Sequence, residues 1–206
     1  MTKQVNSYSI KEIRNQLSNG IISKLSATKK IQEYCRHLFD ISDVLSESII
    51  REISIRENKI LFTVEVFGKN VVLECAEQTG AGLPLSLLCR DVIPEPDVLS
   101  VMLKYLKAGD SFFDIGANIG WYGVVLPQFI DNLHVYSFEP SKKAYDILVK
   151  NMRNNHQSTQ TAFEFGFSDE NCTTKFYQNN DFLGASGLVN IEYSDNVELV
   201  VSGIMN

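Results

Sequence analysis

Residues 112–120 read FFDIGANIG, an apolar run that ends in an acid and opens into a glycine-bearing turn. The run SFFDI, residues 111–115, has the length and composition of a short buried strand, and NIGWYGVVLPQFI, residues 118–130, reads as a helix bent by Pro127. A strand that leads through a glycine turn into a helix lets the backbone approach a ligand closely. In an open α/β sheet the binding crevice lies at the carboxyl ends of the strands, where this turn would sit.

The same grammar repeats downstream. LHVYSFE (133–139) reads as a second strand, SKKAYDILVKNMRNN (141–155) as a helix capped by Ser141, and TAFEFGF (161–167) as a third strand. Strands alternating with helices imply parallel pairing and a Rossmann-like α/β sheet. Past Asp169 the pattern loosens, with TTKFYQ (173–178) and NVELVVSG (196–203) as further strands. Upstream, EPDVLSVMLKYLKAGD (95–110) predicts a helix with Asp97 as N-cap, an apolar face of Leu99, Met102, Leu103 and Leu106, and a stop at Gly109. KILFTVEVF (59–67) and NVVLECA (70–76) predict a β-hairpin around Gly68.

The first third has helical spacing instead. Ile10, Ile13 and Leu17 form one run and Ile21, Ile22, Leu25, Ile31, Tyr34 and Leu38 a second, broken at Asn19-Gly20. A third helix is expected from Val44 to about Ile55. The division that results is a helical region over 1–57 and an α/β domain over 58–206.

Composition bounds the partners. Of 206 residues, 44% are hydrophobic and 21% charged, which suits a chain that buries its own core. A formal net charge of −6 gives no basic surface for a nucleic-acid backbone, and the pairs Lys29-Lys30 and Lys142-Lys143 read as solvated helix faces. Cys35, Cys75, Cys89 and Cys172 lie far apart with no CxxC pair, as expected of idle thiols in a reducing compartment rather than a disulfide frame or a metal site. The polar N-terminus and the lack of any long apolar run make a cytoplasmic protein with no membrane partner the default expectation.

Which ligand would the turn take? A dinucleotide fingerprint, G-x-G-x-x-G, needs a glycine where Asn118 stands and a third where Trp121 stands. Asp114 would also repel a pyrophosphate across a poorly solvated crevice. S-adenosylmethionine brings an ammonium and a sulfonium against one carboxylate, so an acid at the strand end favours it. Glu139 ends the second strand, where a carboxylate accepts hydrogen bonds from ribose hydroxyls in either ligand class. Ser168 and Asp169 follow the third strand and would reach the same rim to meet an adenine amino group, or else form a polar turn.

DIGANIGWYG, then VYSFEPSKKAYDILVKNMRNN, then FEFGFSDE resembles the FkbM-type family of S-adenosylmethionine-dependent O-methyltransferases over residues 95–200. The resemblance implies a class I methyltransferase fold and a cofactor site drawn from Asp114, Gly116, Asn118, Gly120, Glu139 and Asp169. Trp121 and Tyr122 match aromatic positions after the family's turn, read first as packing and second as a crevice wall. It also implies an acceptor hydroxyl on a sugar, glycan or secondary metabolite. The family continues with an LD pair and a K-I-D-x-E-G segment, neither of which appears before the chain stops at VELVVSGIMN. The expectation is a partial sheet lacking its later strands, with an open edge that invites self-association.

No catalytic base suggests itself: His134 lies at the wrong end of its strand and His156 in a polar loop, while His37 belongs to a helix surface. Two other classes stay in view: a non-catalytic cofactor-binding or scaffold relative of the family, and an NAD-linked oxidoreductase, which Asn118, Trp121 and Asp114 disfavour.

Overall fold

The computed structural model describes residues 9–75, 82–156, 159–167, 172–179 and 197–205, the last two stretches as backbone. The chain divides into two compact units, Met1–Glu47 and Ser48–Asn206.

The first unit is a helix pair, α1 (Ile10–Ser18) and α2 (Lys24–Leu45). Ser9 starts α1 with a reciprocal capping box: its hydroxyl accepts from the Glu12 amide while the Glu12 carboxylate accepts from the Ser9 amide. The break falls at Asn19-Gly20 as the sequence predicts, with Gly20 left-handed at φ +70°. Ser23 caps α2 through the Ser26 amide.

The second unit opens with an antiparallel sheet, β1 (Ile50–Arg56), β2 (Lys59–Val66) and β3 (Lys69–Cys75). The third helix expected over Val44–Ile55 is thus a strand from Ile50 onward. Glu57-Asn58 and Phe67-Gly68 each have positive φ at both residues, the geometry of a two-residue hairpin turn, and the first of these draws 50–56 into the sheet. Alternation then buries Phe62, Val64, Val66, Val71 and Leu73 on one face. The helices α3 (Leu83–Arg90), unforeseen in the sequence, and α4 (Pro96–Tyr105) follow. Glu95, not Asp97, is the N-cap of α4, because Pro96 suits the first helical position and starts the helix earlier; Asp97 falls in its first turn.

The parallel sheet has the order β4 (Ser111–Ile115), β5 (His134–Phe138), β6 (Gln160–Phe163), in register from Ser111↔His134 to Ile115↔Phe138 and from Val135↔Gln160 to Phe138↔Phe163. Its connections are α5 (Trp121–Val125), followed by a 3-10 turn at Leu126–Gln128 that contains Pro127, and α6 (Lys142–Asn154), capped by Ser141 as expected. Consecutive parallel strands joined by helices make this a Rossmann-like α/β fold. Both helices cover the face that carries Asp114, Val135, Ser137 and Ala162. On the other face Phe113 stacks on Tyr136 at 5.2 Å and Phe138 on Phe163 at 4.9 Å, with Phe113 and Ile115 exposed.

The third predicted strand, 161–167, splits. β6 ends at Phe163, and β7 (Gly166–Phe167) pairs instead with β9 (Val197–Met205), which runs antiparallel to β8 (Cys172–Asn179). The ladder ends there for a simple reason: the odd-numbered amides of β5 face β6, Glu139 gives the last of them to the Phe163 carbonyl, and the next, that of Ser141, goes to the Glu139 carboxylate instead. The two strands predicted near the C-terminus are β8 and β9.

Helix α6 closes the open edge of β3. Asn155 accepts from the Val72 amide and donates to the Val72 carbonyl, both at 2.8 Å, which is what a neighbouring strand would do. Asn155→Ala leaves both groups without these bonds, so urea denaturation should show a loss of about 2 kcal/mol. An unchanged midpoint would contradict this role.

Candidate functional site

The turn between β4 and α5 is shaped by three left-handed residues: Gly116 at φ +78°, Asn118 at φ +50° and Gly120 at φ +85°. Asparagine is among the few residues other than glycine that adopt this conformation routinely, so Asn118 keeps the turn where a dinucleotide fingerprint would have its second glycine. Gly116 has open space around its α-carbon, and only its conformation matters. At Gly120 a Cβ would lie 2.4 Å from Leu148 Cδ1, so the glycine also lets the turn settle on α6. Ala117 packs there with Leu148 and Met152, and Ile119 with Ala144 and Ile147.

The carboxyl end of β5 holds the turn by its amides. Gly116 and Ala117 donate to the Phe138 carbonyl at 2.9 and 3.0 Å, and Asn118 donates to Glu139 Oε2 at 2.7 Å. The second oxygen, Oε1, accepts from the Ser141 amide at 2.7 Å, beside the start of α6. Glu139 is 5% exposed, and burial raises its pKa against the pull of those two amides. In this state the expected ribose acceptor is the clasp between the turn and α6.

Asp114 lies on the adjacent strand, 6% exposed, with no hydrogen-bond partner for Oδ2 among the described residues. Burial pushes its carboxyl up to about 6; the Gly123 amide opposes the shift and the charge of Glu139 adds to it. Ser137, its register partner on β5, is fully buried, and its Oγ is likewise without a partner. A Cβ at Gly123 would lie 3.3 Å from Ser137 Oγ and 4.0 Å from Asp114 Oδ2. Gly123 therefore takes the helix-on-strand packing role that a dinucleotide fingerprint gives to its third glycine. It was legible as a further glycine after the turn; Ser137 was legible as the one small polar residue of its strand.

Trp121 is buried and Tyr122 half-buried, which agrees with packing for the first. The Tyr122 hydroxyl donates to the exposed Glu95 carboxylate, and burial, then Glu95, raises the phenol pKa. Glu95 is itself left-handed at φ +46°, uncommon for a residue of its kind, and no local pattern marks its place beside the turn. The structure thus brings together Asp114, Gly116, Asn118, Gly120 and Glu139, and adds Glu95, Tyr122, Gly123 and Ser137. Ser168 and Asp169, expected on the same rim, lie outside the described residues.

The histidines stay apart. His134 opens β5 at the end opposite Glu139, and His156 lies beyond α6, exposed. Among the described residues no group of three His, Cys, Asp or Glu side chains is placed to hold a metal, and no helix is long and apolar enough to cross a membrane. Cys35, Cys75 and Cys89 are free thiols.

No protein-family model matches the chain, and no curated protein matches it. Among solved structures it is similar to precorrin-6y C5,15-methyltransferase from Geobacter metallireducens GS-15, at 18% identity over 36% of this chain and 41% of that one, TM-score 0.32. It is also similar to M. jannaschii TYW2 in complex with AdoMet (13% identity, 53% of this chain, 44% of that one, TM-score 0.35) and to P. horikoshii TYW2 in complex with MeSAdo (17%, 53%, 38%, TM-score 0.37). The chain spans about two-fifths of the length of these structures.

The Asp114 environment has a consequence for stability. A carboxyl whose folded pKa is raised from 3.8 to about 6 binds more protons folded than unfolded between those values, so its contribution to stability falls as pH rises through that window. Asp114→Asn should remove that loss, making the variant more stable than wild type at pH 7, by up to about 3 kcal/mol, and equal to it below pH ~4. Thermal denaturation against pH reads this, and a variant no more stable at pH 7 would refute it.

Proposed function

We propose that the turn binds S-adenosylmethionine and that the chain is part of a methyltransferase of class I type, as the resemblance to the FkbM-type family suggests. The observation that carries this reading is the buried Asp114, short of a partner and next to Glu139 at the carboxyl ends of adjacent parallel strands. A dinucleotide pyrophosphate would add anionic charge beside two buried carboxylates, with Glu95 near by, at a large electrostatic cost. A ligand with an ammonium and a sulfonium reverses the sign. The residues present therefore fit this cofactor.

When bound, S-adenosylmethionine supplies an electrophilic methyl group. Asp114 would supply negative potential for the cationic groups of the ligand, and this would strengthen as water is excluded. Glu139 keeps a free lone pair on each oxygen beside its amide bonds and offers these to the ribose hydroxyls. The open space at Gly116 would let the ligand approach the backbone of the turn closely.

The acceptor we propose is a hydroxyl on a sugar, glycan or secondary metabolite, and the net charge of −6 speaks against a nucleic acid. Transfer then forms an oxygen–methyl bond as the sulfur–methyl bond breaks, its electron pair returning to sulfur, and the hydroxyl proton leaves to solvent. With His134 and His156 away from the turn, alignment rather than general base catalysis would supply most of the acceleration.

Calorimetric titration with S-adenosylmethionine and S-adenosylhomocysteine tests the reading. Saturable binding is expected at pH 7, weakened about tenfold or more by Asp114→Asn and by Glu139→Ala, the range for lost hydrogen bonds to charged groups. Folded protein that binds NAD and neither of these ligands would overturn it.

A further inference from the structure

We infer that Asn151 is a positioning residue for the cofactor turn, and that it links the turn to the antiparallel sheet β1–β3. Asn151 lies on α6 with no exposed surface. Its Nδ2 donates to the Ile119 carbonyl at 2.8 Å, and its Oδ1 accepts from the Glu74 amide on β3 at 2.8 Å. One primary amide thus joins the turn to β3, two backbones that are distant in sequence.

The spacing explains why the link fits. Asn151 and Asn155 are four residues apart and share one face of α6, about 6 Å apart along the axis. Val72 and Glu74, two residues apart on β3, are about 6.6 Å apart and present their amides on the same edge. Two helix side chains therefore match two strand residues, and each bonds one: Asn155 takes Val72, and Asn151 takes Glu74. Lys150 adds an ion pair to the Glu74 carboxylate at 3.0 Å. Asn155 spends its remaining donor within this contact, on the Val72 and Asn151 carbonyls. Asn151 spends its own on the turn.

That contact is placed to control the geometry of the turn. The peptide between Ile119 and Gly120 is held on both edges, its carbonyl by Asn151 and its N–H by the Ala117 carbonyl at 2.8 Å. Its plane fixes the direction in which Gly120 enters α5. An aspartate or leucine at 151 would lack the donor, and an alanine both groups. The sheet β1–β3 is then a bracket for the cofactor turn rather than a separate ornament or a lid.

This inference rests on the cofactor reading above, and its test separates the two. Asn151→Ala and Asn155→Ala each remove bonds to β3, but only the first touches the turn. Both should lower the denaturation midpoint. Asn151→Ala should weaken S-adenosylhomocysteine binding by about tenfold, while Asn155→Ala leaves it within about twofold. Equal losses of affinity, or none in Asn151→Ala, would overturn the inference.

Hydrogen exchange supplies a readout independent of ligand. In ligand-free protein the Gly120 amide should exchange faster in Asn151→Ala than in Asn155→Ala, and equal rates would overturn the inference even if S-adenosylhomocysteine does not bind. If Asn151→Ala does not fold, exchange in the wild-type protein decides. Adding S-adenosylhomocysteine should then protect the Glu74 amide together with the turn. Protection confined to the turn would exclude the link.

Discussion

Three consecutive amides, those of Gly116, Ala117 and Asn118, are held by the last carbonyl of β5 and the carboxylate that follows it. Everything near the site follows from that grip. It forces the chain leaving β4 to turn across the end of β5, which requires alternate residues to be left-handed. It lays Ala117 and Ile119 against α6 and brings Gly120 so close to Leu148 that no side chain fits between them. Glu139 is thus the clasp of the turn, and in the proposed site it would serve a second time as the ribose acceptor. Burial of a residue such as Leu148 contributes roughly 2–3 kcal/mol, so the apolar underside stabilises a turn whose backbone would otherwise be unfavourable.

The same packing leaves Asp114 in a costly place. A protein selected for stability alone would put an apolar residue or an amide under α5, because a buried carboxylate loses its hydration and gains little in return. Ser137 and Gly123 leave room around the carboxylate without neutralising it. Local cost of this kind is typical of sites that keep their charge for a ligand. The cationic end of S-adenosylmethionine would supply the compensation, so that binding and stabilisation are two aspects of one electrostatic term.

Much of this was legible in the sequence. The alternation of strand and helix from Ser111 to Phe163, the Ser141 cap and the roles of Gly116 and Gly120 follow from local rules, and the structure places Asp114 and Glu139 at the carboxyl ends of adjacent strands, as their positions implied. What was hidden depends on distant partners. Residues 50–56 carry apolar residues that suit either a helix or a strand, and the Glu57-Asn58 turn decides between them by offering β2 as a partner. Asn151 and Asn155 look like helix-surface amides until β3 presents its free edge. Glu95 belongs to the site only because Pro96 starts α4 and the carboxylate then meets Tyr122.

The most direct measurement is the proton balance of cofactor binding. S-adenosylmethionine would be titrated calorimetrically at pH 6, near the Asp114 pKa, in two buffers of different ionisation heat. If a cation settles over Asp114, its pKa falls and binding releases about half a proton, so the apparent enthalpy differs between the buffers in proportion. Saturable binding with the same enthalpy in both buffers would mean that Asp114 does not sense the ligand, and would contradict the electrostatic basis of the proposed site.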